Sequence, residues 1–149
     1  MKHDPPFFVL LADDDPDDRL LFKKAFSELS LRTIVQTVND GIELMELLTK
    51  KAALLPKIIF LDLNMPRKNG LECLREIKNN KKFKEILIAI YSTSASEKNI
   101  EDAFRFGANV YIHKPSDFRI LKKVLDRTVV ASWHYQDPPF NKENFLLRI

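Results

Sequence analysis

Ile58-Ile59-Phe60-Leu61-Asp62-Leu63-Asn64-Met65-Pro66-Arg67-Lys68-Asn69-Gly70 is the stretch on which the fold turns. Four apolar residues in a row, three of them β-branched or aromatic, read as a strand covered on both faces, because a strand with one face in water would alternate apolar and polar. Pro56 marks the break before the run. The run stops at a carboxylate, Asp62, and Pro66 and Gly70 belong to a loop. Beyond it Leu71, Leu74 and Ile77 recur at helical spacing. A doubly covered strand followed by an amphipathic helix is the building unit of a parallel sheet with helices on both sides.

Moving outward, the same unit recurs on each side. Upstream, Phe7 to Ala12 is an apolar run that ends in Asp13-Asp14-Asp15-Pro16. Proline suits a first helical turn and acids favour a helix N-terminus. Leu21, Phe22, Ala25, Phe26 and Leu29 then follow helical spacing. Ile34 to Val38 is a second strand, Asn39-Asp40-Gly41 a turn, and Ile42, Met45, Leu48 and Ala52 a helical stripe. Downstream, Ile86 to Tyr91 ends in Ser92-Thr93-Ser94, and a helix carrying Ile100, Ala103 and Phe104 stops at Gly107. Val110 to His113 ends at Lys114-Pro115, with Ser116 placed to cap a last helix bearing Phe118, Leu121, Leu125 and Val129. Five strand–helix pairs predict an α/β fold: a flavodoxin-like, doubly wound, five-stranded parallel sheet of order 2-1-3-4-5 with helices on both faces. One domain is expected over residues 7–130. Residues 131–149, rich in aromatic and apolar side chains, are expected to form a tail that packs on the body or on a partner.

Composition narrows the function classes. The 149 residues are 45% hydrophobic and 30% charged, ordinary for a globular protein. Net charge is +3, with the lysines dispersed, which speaks against nucleic-acid binding. No apolar run approaches the roughly 20 residues of a membrane helix, and the first residues lack the apolar core of a secretion signal. Cys73 is the single cysteine, so no internal disulfide forms, and a cytoplasmic location is expected. His3, His113 and His134 lack zinc spacing.

The chemistry-bearing residues stand where strands end: Asp13 and Asp14 after the first, Asp62 after the third, Ser92 after the fourth, Lys114 after the fifth. In the predicted topology these ends converge on one crevice. Three carboxylates together repel unless a cation neutralises them, and Mg2+ with oxygen ligands is the simplest solution, with Mn2+ as a substitute. The backbone carbonyl of Asn64 could add an oxygen ligand. Metal, lysine and hydroxyl together suit a phosphoryl group, and Asp62 at the centre of the sheet is placed to accept one as an aspartyl phosphate. Plainer readings stand beside these. Asp15 reads as a cap, Asp17 and Asp18 as exposed first-turn charges, Cys73 as structural, and His113 as a packing or surface residue. Thr93 is the alternative register for Ser92, and Tyr111 could be strand packing.

The motifs Leu10-Leu11-Ala12-Asp13-Asp14, Ile59 to Pro66, Asn69-Gly70-Leu71 and Gly107 to Pro115 resemble the response-regulator receiver family of two-component signalling. The resemblance covers roughly Phe7 to Val130. It implies Asp62 as phosphoacceptor, Asp14 as a direct Mg2+ ligand, Asp13 acting mainly through water, and Asn64 contributing its carbonyl. It further implies Lys114 as the phosphoryl-binding lysine, Ser92 as the switch hydroxyl and Tyr111 as the switch aromatic, turning inward when the hydroxyl moves. The acidic run Asp13 to Asp18 and the Pro138-Pro139-Phe140 tail resemble single-domain receivers partnered with phytochrome-like histidine kinases. The expected function is then a stand-alone response regulator rather than an enzyme. Its phosphoryl group would come from a sensor histidine kinase or phosphotransfer protein, and its output would pass through protein contacts on the fourth-helix, fifth-strand, fifth-helix face, near Phe104, Phe106 and Tyr111. A homodimer is compatible with this. The competing readings are a haloacid-dehalogenase-like phosphatase, which wants a second Asp where Asn64 stands, and a nucleotide or flavin module. The latter wants a glycine-rich loop that a chain with three glycines does not offer. A third is a pseudo-receiver that only binds a partner.

Overall fold

The computed structural model describes residues 6–50, 54–133 and 146–147. Five units alternate as read from the apolar runs: β1 (Phe7–Ala12), α1 (Pro16–Ser27), β2 (Thr33–Val38), α2 (Gly41–Thr49), β3 (Ile58–Leu61), α3 (Gly70–Lys78), β4 (Leu87–Ser92), α4 (Glu97–Arg105), β5 (Val110–His113) and α5 (Phe118–Trp133). All strand pairs are parallel and the order 2-1-3-4-5 is present. A sixth strand, β6 (Leu146–Leu147), which the apolar pattern did not foretell, extends the sheet beyond β5. It runs parallel with Tyr111 opposite Leu146 and Ile112 opposite Leu147. Residues 134–145 and 148–149 of the expected tail, and Ala52 of the α2 stripe, lie outside the described residues.

Strand alternation sorts the core into two layers. Leu10, Ala12, Ile59, Leu61, Ile88, Ile90 and Tyr111 face α2, α3 and α4, where Leu44, Leu48, Leu74, Ile77 and Ala103 meet them. Val9, Leu11, Ile58, Phe60, Ala89, Tyr91 and Ile112 face α1 and α5, where Phe22, Phe26, Leu121, Leu125 and Val129 meet them. Phe22 is the pivot of the second layer, its ring 5.1 Å from Phe60 and 5.8 Å from Tyr91 in edge-on geometry. β3 is buried along its whole length, whereas β2, at the edge, alternates in exposure.

Local chemistry sets the helix ends. Asp15 accepts the amides of Asp17 and Asp18 and so caps α1. Asn69 and Glu72 form a reciprocal capping box on α3. Gly70 lies so close to the end of β3 that a Cβ there would sit 2.2 Å from the Asp62 carbonyl oxygen. The cap of α5 differs from expectation: Asp117, not Ser116, accepts the amides of Arg119 and Ile120. α5 also continues through Trp133, past the point where its apolar pattern fades. The hydroxyls of buried Thr128 and Ser132 bond the carbonyls one turn back, which lets polar residues line that face.

Candidate metal centre

Ladder hydrogen bonds carry the site residues one step beyond their strands. Asp13 N–H donates to Val38 O at 3.1 Å, Asp62 N–H to Ala12 O at 3.0 Å, and Lys114 N–H to Ser92 O at 2.8 Å. These bonds align the carboxyl ends of β1, β3, β4 and β5, with β2 beside β1, along one edge of the sheet. Carboxylate oxygens of Asp13, Asp14 and Asp62 lie within 4.8 Å of one another. Asp13 is fully buried and Asp62 nearly so, while Asp14 is exposed.

Lys114 faces this cluster. Its Nζ is 2.8 Å from Asp13 Oδ2, 2.8 Å from Asp18 Oδ2 and 3.5 Å from Asp62 Oδ2, and it lies 5.3 Å from the centre of the Tyr91 ring. Burial pushes the Asp62 carboxyl up to about 6, opposed by Lys114 and reinforced by Asp13 and Asp14. Burial likewise raises Asp13, against the pull of Lys114. For Lys114 burial works downward, but the neighbouring Asp13, Asp18 and Asp62 outweigh it and hold the ammonium protonated well above its ordinary range. Lys114 is therefore the permanent cation of the site.

One lysine does not satisfy the donor set. Asp13 Oδ1 accepts the Asp15 amide at 3.0 Å, but Asp13 Oδ2 is buried with an ion-pair contact and no aligned hydrogen bond. Clustered carboxylate oxygens with a buried, under-coordinated member are the ligand type of a hard divalent cation, so the residues present fit one. Asn64 N–H donates to Asp62 Oδ1 at 3.4 Å, which keeps the Asn64 backbone against that carboxylate.

Ser92 and Tyr111 form a second group behind the acids. Ser92 is fully buried, and its Oγ accepts the Ser94 amide at 3.1 Å. Tyr111 is also fully buried, its hydroxyl donating to the Ser94 carbonyl at 2.5 Å. The Tyr111 ring is thus turned inward in this structure. Thr93, the alternative register, is exposed. Sequence reading missed two contacts. Asp18, which reads as an exposed first-turn charge, pairs with Lys114 across 96 residues. His113, for which no partner was foreseen, has its Nε2 3.0 Å from the Thr93 carbonyl.

The family model of the response regulator receiver domain matches residues 9–126. The chain belongs to the response-regulator receiver family. The chemotaxis protein CheY1 of Helicobacter pylori is 30% identical to this receiver, over 79% of this chain and 93% of that protein. Among solved structures, the phosphorylated cyanobacterial phytochrome response regulator RcpA superposes with a TM-score of 0.81 at 29% identity, covering 89% of this chain and 97% of that one. The Mn2+-bound form of response regulator Rcp1 superposes with a TM-score of 0.76 at 26% identity, covering 90% and 99%. Receiver domains are signalling switches rather than conventional enzymes, and the acidic cluster is consistent with a divalent cation. Among the described residues no helix is long and apolar enough to cross a membrane.

Proposed function

We propose that this receiver is a stand-alone cytoplasmic response regulator that takes a phosphoryl group onto Asp62 from the phosphohistidine of a sensor histidine kinase or phosphotransfer protein. The observation that carries the proposal is the placement of Asp62. Its carboxylate sits at the end of the central strand, within 4.8 Å of Asp13 and Asp14 and opposite Lys114 at 3.5 Å. In the transfer an Asp62 oxygen forms a bond to phosphorus as the phosphorus–imidazole bond breaks, and the imidazole leaves with that electron pair. Mg2+, or Mn2+ in its place, would be held by Asp13, Asp14, Asp62 and the Asn64 carbonyl and would supply positive charge to the phosphoryl oxygens. Lys114 neutralises the opposite side. The Ser92 hydroxyl, at the end of the neighbouring strand, donates to a phosphoryl oxygen once the group is attached, and hydrolysis of the aspartyl phosphate resets the switch.

The domain proper is taken as residues 7–130, with 131–149 as an accessory tail. The likeness to phytochrome response regulators supports a phytochrome-like kinase as the donor. Output passes through protein contacts near α4 and β5, where half-buried Phe104 and Phe106 lie, the latter under the Arg75 and Arg105 guanidinium groups. Incubation with Mg2+ and acetyl phosphate, followed by intact mass measurement, tests the reading. One phosphoryl adduct is expected, absent in Asp62→Asn. An adduct that survives Asp62→Asn sinks the assignment.

A further inference from the structure

The loop between β3 and α3 has one strained residue. Arg67 has φ +65°, the one positive φ of a non-glycine residue among the described residues. A bulky L-residue adopts that conformation only where its surroundings hold it there. Here its side chain supplies the hold. Nε and Nη2 donate to Asp40 Oδ2 at 3.1 and 2.8 Å, while Asp40 Oδ1 accepts the Glu43 amide at 2.9 Å and caps α2. Asp40 is nearly buried, but the Arg67 side chain is 57% exposed, so the contact lies on the surface end of a buried acceptor. The Glu43 amide and the Arg67 guanidinium together hold the Asp40 carboxyl below the usual carboxylate range.

The loop is pressed onto the start of α2 by more than this pair. Lys68 N–H turns back on Pro66 O at 2.6 Å, and a Cβ on Gly41 would sit 2.3 Å from Lys68 O. Beneath it, Cys73 Sγ lies 3.7 Å from Gly41 O. At the other end Gly70 N–H bonds Leu63 O at 3.0 Å, and Met65 is buried in the core. Asn64 is therefore suspended between two anchors, the Leu63–Gly70 closure and the Arg67–Asp40 clasp.

The geometry points to Arg67 as a positioning residue for the metal: its clasp on Asp40 fixes the β3–α3 loop so that the Asn64 backbone is presented to the acidic cluster. This rests on the metal reading proposed above. Arg67 touches neither the metal site nor Asp62. It acts by holding the loop, as outer partners of a metal site orient its ligands.

Three variants of the full-length protein test it. Arg67→Gly removes the clasp but tolerates the positive φ, Arg67→Ala removes the clasp and keeps the strain, and Arg67→Lys keeps one charged donor. Mg2+ affinity of the unphosphorylated protein is read by calorimetric titration, and folding by the thermal midpoint in EDTA. Arg67→Gly is expected to bind Mg2+ about tenfold more weakly with a near-wild-type midpoint. Arg67→Lys should recover part of the loss, and Arg67→Ala should lose both affinity and midpoint. With acetyl phosphate, the Mg2+ concentration for half-maximal rate should rise in Arg67→Gly while the rate at saturating Mg2+ is preserved. Wild-type affinity in Arg67→Gly, with or without a lower midpoint, overturns the inference and leaves the metal reading standing. No Mg2+ heat from the wild type, matched by Asp14→Asn, overturns the metal reading itself and the inference with it.

Discussion

Lys114 carries one positive charge against three carboxylates, two of them at 2.8 Å. Its removal leaves Asp13, which has no access to water, without its nearest counter-charge. Stranding one member of a buried pair costs about 3 kcal/mol or more. Lys114→Met, which keeps much of the aliphatic stem, is expected to lose roughly that amount in urea unfolding. Because the cluster then has no cation of its own, added Mg2+ should stabilise the variant by a larger increment than it stabilises the wild type. Equal increments would show that lysine and metal do not compensate the same charges. At this scale the sequence was legible where a residue's place follows from its own strand. Asp13, Asp14, Asp62 and Lys114 each end an apolar run, and the run fixes the edge of the sheet they reach. Asp18 was not legible. Its side chain meets Lys114 because the first turn of α1 and the residue after β5 reach the same edge of the sheet, and nothing in that turn records the approach.

Among the elements, α3 separates a cap from a close contact. Asn69 accepts the Glu72 amide at 3.0 Å and Glu72 returns a bond to the Asn69 amide, both exposed. Asn69→Ala should cost about 1 kcal/mol by chemical denaturation, with phosphorylation by acetyl phosphate unchanged. Gly70→Ala sits one residue later and should behave differently. Its Cβ would collide with the Asp62 carbonyl and with Leu63 Cα, both of them backbone that cannot swing aside. Loss of stability by more than the Asn69 variant, together with slower phosphorylation, is expected. A Gly70→Ala protein that phosphorylates normally would mean that the β3 end is free to shift. Element existence followed from the apolar pattern, since β1, β3, β4 and β5 are each dominated by one apolar run and β2, at the edge, alternates. Element ends followed less well. Ser116 and Asp117 are both capping residues, and only the chain path decides that Asp117 turns toward the α5 amides. β6 is two residues long, too short for any periodicity to mark it.

For the whole molecule the two apolar layers and the acidic edge are opposed in effect. Both faces of the sheet are sealed by helices, and that burial allows Asp13, Asp14, Asp18 and Asp62 to be gathered at one end with Lys114 as the cation among them. Self-repulsion at such an edge is tolerated because the stability of the body is supplied elsewhere, and a ligand that binds only the folded arrangement recovers it. Asp14→Asn isolates the balance, because Asp14 is exposed and its replacement opens no cavity. In EDTA the variant should melt slightly above the wild type, since one of the mutually repelling charges has gone. In Mg2+ the order should reverse. At a concentration about 100 times its dissociation constant, a bound ion adds about 2.7 kcal/mol to the folded state, roughly 5–10 °C for a chain of this length. The variant, lacking a ligand, should gain little of that. Thermal scans of both proteins with and without Mg2+ check the crossing. Parallel shifts in the two proteins would place the stabilising ion away from Asp14. A wild type that melts above Asp14→Asn even in EDTA would show that the Asp14 carboxylate is held by attraction rather than strained by its neighbours.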